Sequence, residues 1–264
     1  MSGSSMSCRQ GVPVRSDPLS MREFTLLGLL TFSLSMVAAP ADAYRPFDST
    51  DAAVADAAKC EVELGPAQYL SESDGRFLVA PALILNFGLT DRIELVIEGK
   101  NTWPLEHSGS SPELRDNAVS VKAVLREGDL QDKSGPSLAI EVSTLLPSSP
   151  DEHGVGEVIT GIASKRWMRA TVHLNVTVGV TRSHEFARSV GLIAEGPSTW
   201  RVRPVVELVA EREDGSTTSG LVGAIWQPRE HLAVDAGWRR ARVDGFSGNE
   251  FRAGMTFSFR VAGS

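Results

Sequence analysis

The chain has 264 residues, 42% of them hydrophobic and 22% charged, with a net charge of −7 and a pI near 5.3. That is ample apolar material for a core and too little charge for a disordered chain. The acidic balance argues against nucleic acid as a partner, and no uncharged apolar run reaches the roughly 18 residues that a spanning helix needs.

Residues 1–43 read as a leader with a secretory signal peptide. Met21-Arg22-Glu23-Phe24 introduces an apolar stretch from Thr25 to Ala39, which closes on the small-residue pattern Ala41-Asp42-Ala43. A basic start, a short apolar segment and small residues at the cut place cleavage at Ala43-Tyr44. The polar residues before Met21 are long for a signal, so Met21 is an alternative start to Met1. Cleavage removes three basic and three acidic side chains, so the mature chain keeps its acidic balance. It also removes Cys8 and leaves Cys60 alone. Two cysteines make neither a disulfide framework nor a four-ligand zinc site. The residues before Cys60, Ala57-Ala58-Lys59, do not suit a lipid-anchor signal, and Cys60 reads as a strand residue.

Residues 44–58 form a short segment, too short for a folded plug domain, with a brief helical candidate over Asp51–Lys59. From residue 59 to 264 one theme repeats. Twelve segments of alternating character lie near 59–70, 76–87, 92–103, 115–126, 137–147, 156–166, 170–181, 185–195, 200–212, 217–227, 232–241 and 249–260. In the seventh, Val172, Leu174, Val176, Val178 and Val180 alternate with Thr171, His173, Asn175, Thr177 and Thr181. Period two means strands with one apolar and one polar face. Turn signals such as Ser73-Asp74-Gly75, Gly196-Pro197-Ser198 and Asp214-Gly215 separate them. With no crossover helix, successive strands are antiparallel.

A soluble sandwich alternates too. Here, however, acids and bases mix on the polar parity of single strands, and several apolar rows are uniformly Val, Leu, Ile or Phe. That pattern predicts an all-β, antiparallel up-and-down transmembrane β-barrel of about twelve strands, apolar toward lipid and polar toward the lumen. An open strand edge does not survive in hydrocarbon, so the sheet must close. Trp167, Trp200 and Trp226 fall at one end and Trp103 at the other, as two interfacial belts would.

The polar parity supplies the candidate lumen-lining set. Its bases are Arg92, Lys100, Lys122, Arg126, Arg201, Arg203, Arg239 and Arg252, and its acids Glu94, Glu98, Glu141, Glu195, Glu207, Glu211, Asp235 and Glu250. His173 and Asn175 join them. Either opposite charges knit across the lumen and hold it closed, or they line a wet path. Neither sign dominates this set, so no strong ion preference is expected from it. The known site patterns are missing: His184-Glu185-Phe186-Ala187-Arg188 has Arg where H-E-x-x-H needs its second ligand, and Gly154-Val155-Gly156 lacks the third glycine of a dinucleotide loop. No catalytic residue, metal or cofactor is expected. A lipid-modifying enzyme with His107, His153 or His184 near a rim remains the rival class, and a structural barrel with a closed lumen is the third.

The last strand, Arg252-Ala253-Gly254-Met255-Thr256-Phe257-Ser258-Phe259, resembles the assembly signal of bacterial outer-membrane barrels, with Arg252, Gly254, Phe257 and Phe259 at its key positions. Phe87-Gly88-Leu89-Thr90-Asp91-Arg92-Ile93-Glu94, Leu232-Ala233-Val234-Asp235-Ala236-Gly237 and Arg45-Pro46-Phe47 are similar to stretches of the outer-membrane transporters labelled "meta-pathway of phenol degradation". The resemblance implies a barrel in the bacterial outer membrane that meets outer-membrane lipid and the barrel-assembly machinery. It also implies passive transport of a small-molecule solute, aromatic or hydrophobic ones included.

Overall fold

A computed structural model describes residues 37–38, 45–73, 75–106, 111–148, 153–213 and 215–261. The expected leader falls outside them, except that Val37–Ala38 pairs with Phe259 and Arg260. Twelve antiparallel strands close into a barrel, each hydrogen-bonded to its neighbours in chain order. The first, β1, runs in two pieces, Lys59–Gly65 and Gln68–Glu72. There follow β2 (Gly75–Thr90), β3 (Ile93–Pro104), β4 (Glu113–Arg126), β5 (Ser137–Leu145) and β6 (Gly156–Trp167). The set is completed by β7 (Ala170–Val180), β8 (Phe186–Glu195), β9 (Val202–Arg212), β10 (Ser216–Arg229), β11 (Leu232–Val243) and β12 (Phe246–Arg260). The end of the barrel that holds Lys59 and Arg260 is called proximal, and the other end distal.

The break in β1 falls at Pro66, which has no N–H to give a ladder. Its neighbour β2 slips in register between Val79 and Ala82, around Pro81, at the same level. Closure onto β12 is therefore made at two separate places, Lys59–Glu61 with Ser258–Arg260 and Tyr69–Ser71 with Asn249–Phe251. Between them the wall has a seam without ladder bonds.

The alternation decides which face each residue takes. Val176, Val178, Val190, Leu208 and Val222 point outward and are 45–57% exposed. Glu94, Lys122, His173, Asn175 and Glu207 point inward and are buried. A continuous apolar outer band with a polar interior inverts a soluble barrel and needs an apolar cover. No helix among the described residues is long and apolar enough to cross a membrane. A short 3₁₀ turn, Asp129–Gln131, closes the proximal β4–β5 connection. Its Asp129 carboxylate accepts a hydrogen bond from Lys165, which holds it below the usual carboxylate range, and another from the Arg166 N–H.

Val176 lies mid-strand on the outer face, opposite Val190 and Gly161. Set in a bilayer, Val176→Arg should destabilise the barrel by about 2–4 kcal/mol. Reversible urea unfolding in lipid vesicles measures this, and a change within 0.5 kcal/mol would mean that lipid does not cover this face.

Candidate functional site: a lumen lined by the N-terminal segment

Residues 45–57 are neither a helix nor a strand. They run inside the barrel along its wall, from β11 and β12 past β9, β7, β6 and β3 to β2, where the chain turns into β1. The segment is too short to fold as a plug, as its length implies, yet it occupies the lumen as a belt. The helix suggested for Asp51–Lys59 does not form: the Ala52 and Ala55 N–H groups bond to Ser164 and Glu94 of the wall, and the Ala53 N–H to the Asp51 carboxylate.

A buried extended peptide must satisfy its own backbone. Glu207 on β9 accepts the N–H groups of Asp48 (2.9 Å) and Ser49 (2.7 Å). Asn175 on β7 accepts the Thr50 N–H and donates to the Thr50 carbonyl. Ser164 Oγ on β6 takes the Ala52 N–H at 3.0 Å, and Gln131 donates to the Ala52 carbonyl at 2.8 Å. Glu94 on β3 accepts the Ala55 N–H at 2.7 Å, and the Ala58 N–H reaches the Gly88 carbonyl.

Charge fixes the two ends of this path. Asp48 sits between Arg239 (2.8 Å) and Arg252 (2.6 Å), which both also reach Glu250. Arg252 donates to the Pro46 carbonyl as well. Lys122 lies between Glu94 (3.0 Å) and Asp51 (3.6 Å). Arg45 enters the seam, pairs with Asp235 and donates to the Ala253 carbonyl. Gln68, with its amide oxygen toward Arg45 and its nitrogen toward Glu250, completes that contact. Phe47 packs on an inward apolar patch of Val205, Leu221, Ile225 and Ala233.

Glycines mark where the belt touches the wall. A Cβ at Gly254 would overlap the Arg45 guanidinium, one at Gly191 the Ser49 side chain, and one at Gly88 the Asp56 carbonyl. Only hydrogen leaves that room.

Beside the belt a cavity of about 620 Å³ remains. Its lining carries eleven carboxylate side chains and five cationic ones. Glu98, Glu141 and Glu211 are among the acids, and Lys100, which pairs with Asp116, among the bases. The even balance of the expected set thus changes in space: Glu61, Glu63 and Glu72 of β1 and Asp116 of β4, which the alternation did not single out, join Asp48 and Asp51 of the belt, against Arg45 as the one added base.

Of the expected lumen set, Arg92, Arg126 and Arg201 lie at the proximal rim instead. The strands start one and two residues later than the periodicity suggests, at Ile93 and Val202, which leaves Arg92 and Arg201 in the connections before them. Arg92 pairs there with Glu127. A register slip between Val124 and Arg126 swings Arg126 over Gly135 of the proximal connection. Arg203 faces in but pairs with Glu195 and Gln227 near the proximal end.

His173 is held by Ser164 (2.8 Å) and Glu195 (3.1 Å), a Ser–His–Glu arrangement that the sequence spacing did not disclose. Its Ser164 Oγ is already taken by the belt and both Ser164 and His173 are 1% exposed, so no substrate carbonyl can approach it. His153 and His184 are exposed on distal connections, and His107 lies outside the described residues. Among the described residues no group of three His, Cys, Asp or Glu side chains could hold a metal ion.

Trp167, Trp200 and Trp226 stand outward at the proximal end, each more than half exposed, and Trp103 at the distal end donates to the Ala80 carbonyl. Phe257 and Phe259 face outward and stack with centroids 6.4 Å apart, while Arg252 and Gly254 face the belt.

No protein-family model matches the chain, and no curated protein matches its sequence. Solved structures do resemble it. An outer-membrane channel of the COG4313 group from Pseudomonas putida F1 superposes with a TM-score of 0.57 at 13% identity, covering 82% of this chain and all of that one. The KdgM porin solved with a disordered oligogalacturonate gives 0.53 at 12% identity, covering 76% of this chain and 99% of that one. At such identities the likeness is one of fold.

Glu207→Ala removes the acceptor of two part-buried N–H groups of the belt, at a cost of about 1 kcal/mol each. Limited proteolysis should then cut between residues 45 and 57 at least tenfold faster than in the parent, with the barrel still intact. An unchanged rate would mean that Glu207 does not hold the belt.

Proposed function

We propose that this chain is a passive channel of the bacterial outer membrane, narrowed by its own N-terminal segment, that admits small neutral or cationic molecules. The observation that carries this reading is the acidic cavity left between belt and wall. Low-dielectric walls focus the field of fixed charges, so a lining rich in carboxylates concentrates cations and repels anions. The outward apolar band and its Trp residues support a membrane setting, with Trp103, Trp167, Trp200 and Trp226 at the two interfaces. The fold shared with outer-membrane channels supports the same setting. Both chain ends then face the periplasm, and the signal peptide ahead of Tyr44 directs export. Arg252, Gly254, Phe257 and Phe259 would be read by the assembly machinery.

One flank of the cavity, Leu70, Ala82, Leu83, Ile84 and Val96, is apolar. This suits a solute with an apolar or aromatic body, as the resemblance to the phenol-degradation transporters implies. Charged groups on the opposite wall would orient its polar end. The path is passive, driven by the solute gradient.

In planar bilayers under a KCl gradient, the full mature chain should show a reversal potential favouring K⁺ over Cl⁻. Glu98→Gln with Glu141→Gln should lower that preference by at least twofold. A parent channel that prefers Cl⁻ would contradict the reading.

A further inference from the structure

Four arginines project from the outer face near the distal end of three strands: Arg188 on β8, Arg212 on β9, and Arg240 and Arg242 on β11. All four are exposed. Arg188 and Arg212 stand directly opposite each other in the ladder. Like charges so placed repel, and an uncompensated pair costs stability. None of the four makes an ion pair with a described residue. Glu213 and Asp244, at the turns above, are engaged with Ser183 and with the Ser216 N–H. The one cation on the outer face of β2 near that end, Arg76, pairs with Glu106.

The arrangement has a geometry. Arg240 and Arg242 share one face of β11, about 7 Å apart. Arg212 lies two strands away from them across β10; it stands opposite Ser216 whereas Arg242 stands opposite Thr218, so the spacing from Arg212 to Arg242 is about 12 Å. Between the two pairs stands Thr218, opposite Arg242 in the ladder and exposed on the same face. Directly below, toward the middle of the barrel, the outward row turns apolar with Val190, Leu208, Val222 and Trp238. Cations at the upper edge of an apolar band occupy the level of lipid headgroups.

We infer that this patch is a binding site for a lipid of the outer leaflet whose headgroup carries two phosphates, one on each arginine pair, with its acyl chains on the apolar row beneath. Arginine forks suit phosphate oxygens, and an anion between Arg188 and Arg212 turns their repulsion into attraction. Held from β8, β9 and β11 across the intervening β10, such a lipid would also staple these four strands together at their exposed ends. The inference rests on the reading that this outer face meets lipid with its distal end outward, and it concerns a surface separate from the lumen.

The test uses the full mature chain refolded in detergent, with diphosphoryl lipid A as the probe and native mass spectrometry as the readout. Diphosphoryl lipid A should bind at least tenfold more tightly than the same lipid stripped of both phosphates. The variant Arg188→Gln/Arg212→Gln/Arg240→Gln/Arg242→Gln should lose at least tenfold in that affinity. Should this variant fail to fold, Arg188→Gln/Arg212→Gln alone should lose at least threefold. Equal binding by parent and variant, or of both lipids, would overturn the site. Equal affinity for phosphatidylglycerol would overturn the two-phosphate assignment, and displacement by millimolar inorganic phosphate would overturn the lipid source. Heat-modifiable migration of the same samples reports whether the membrane barrel itself has formed, independently of lipid A binding.

Discussion

An extended peptide inside a closed barrel has no free strand edge to pair with, so side chains must meet its backbone donors. Residues 45–57 solve this with one polar side chain from each of several strands: Glu207, Asn175, Ser164 and Glu94. These residues are at most 4% exposed, and an unpaired carboxylate in that position would be costly. Belt and wall are therefore conditional on each other. The wall needs the belt to neutralise and satisfy its inward polar groups, and the belt needs the wall to hold an otherwise unstructured path.

The same dependence shapes the lumen. Charges that could have paired across an empty barrel pair instead with Arg45, Asp48 and Asp51 of the belt. Buried ion pairs of this kind offset their desolvation only when geometry is good, and they specify position more than they stabilise. Asp48, gripped by two arginines and presenting its N–H to Glu207, fixes where the belt crosses. What remains is an acidic cavity of about 620 Å³ beside the belt. A barrel of twelve strands falls between those filled by side chains and those that leave a wide aqueous channel, and the belt moves this one toward the filled kind.

The barrel was legible in the sequence because its period of two extends over every strand. Val172, Leu174, Val176, Val178 and Val180, at alternate positions, fix the outer face, and strand ends agree with the turn residues to within a few positions. The three misplaced arginines stand where a turn or a bulge ends the alternation, which periodicity cannot register. The belt was not legible. Arg45, Asp48 and Asp51 carry no period, and their partners lie from 71 to more than 200 residues away in the chain. The glycines were the available signal. Gly191 and Gly254 interrupt the inward faces of β8 and β12, where a glycine otherwise weakens a strand, and a close backbone approach is one reason to place it there. The Ser164–His173–Glu195 arrangement was hidden for the same reason, since only the ladder brings those three strands together.

The central claim is that residues 45–57 lie against the inner wall. An ideal Cβ at position 191 lies 3.1 Å from the Ser49 Cβ, about 0.7 Å short of the mean disulfide separation. Ser49→Cys with Gly191→Cys, in a chain whose own cysteines are replaced by serine, should therefore form an intramolecular disulfide on oxidation. It should shift the folded band on a gel and be reversed by reductant. Full alkylation of both thiols under the same oxidising conditions, with the barrel folded, would place the belt outside the lumen and contradict the account.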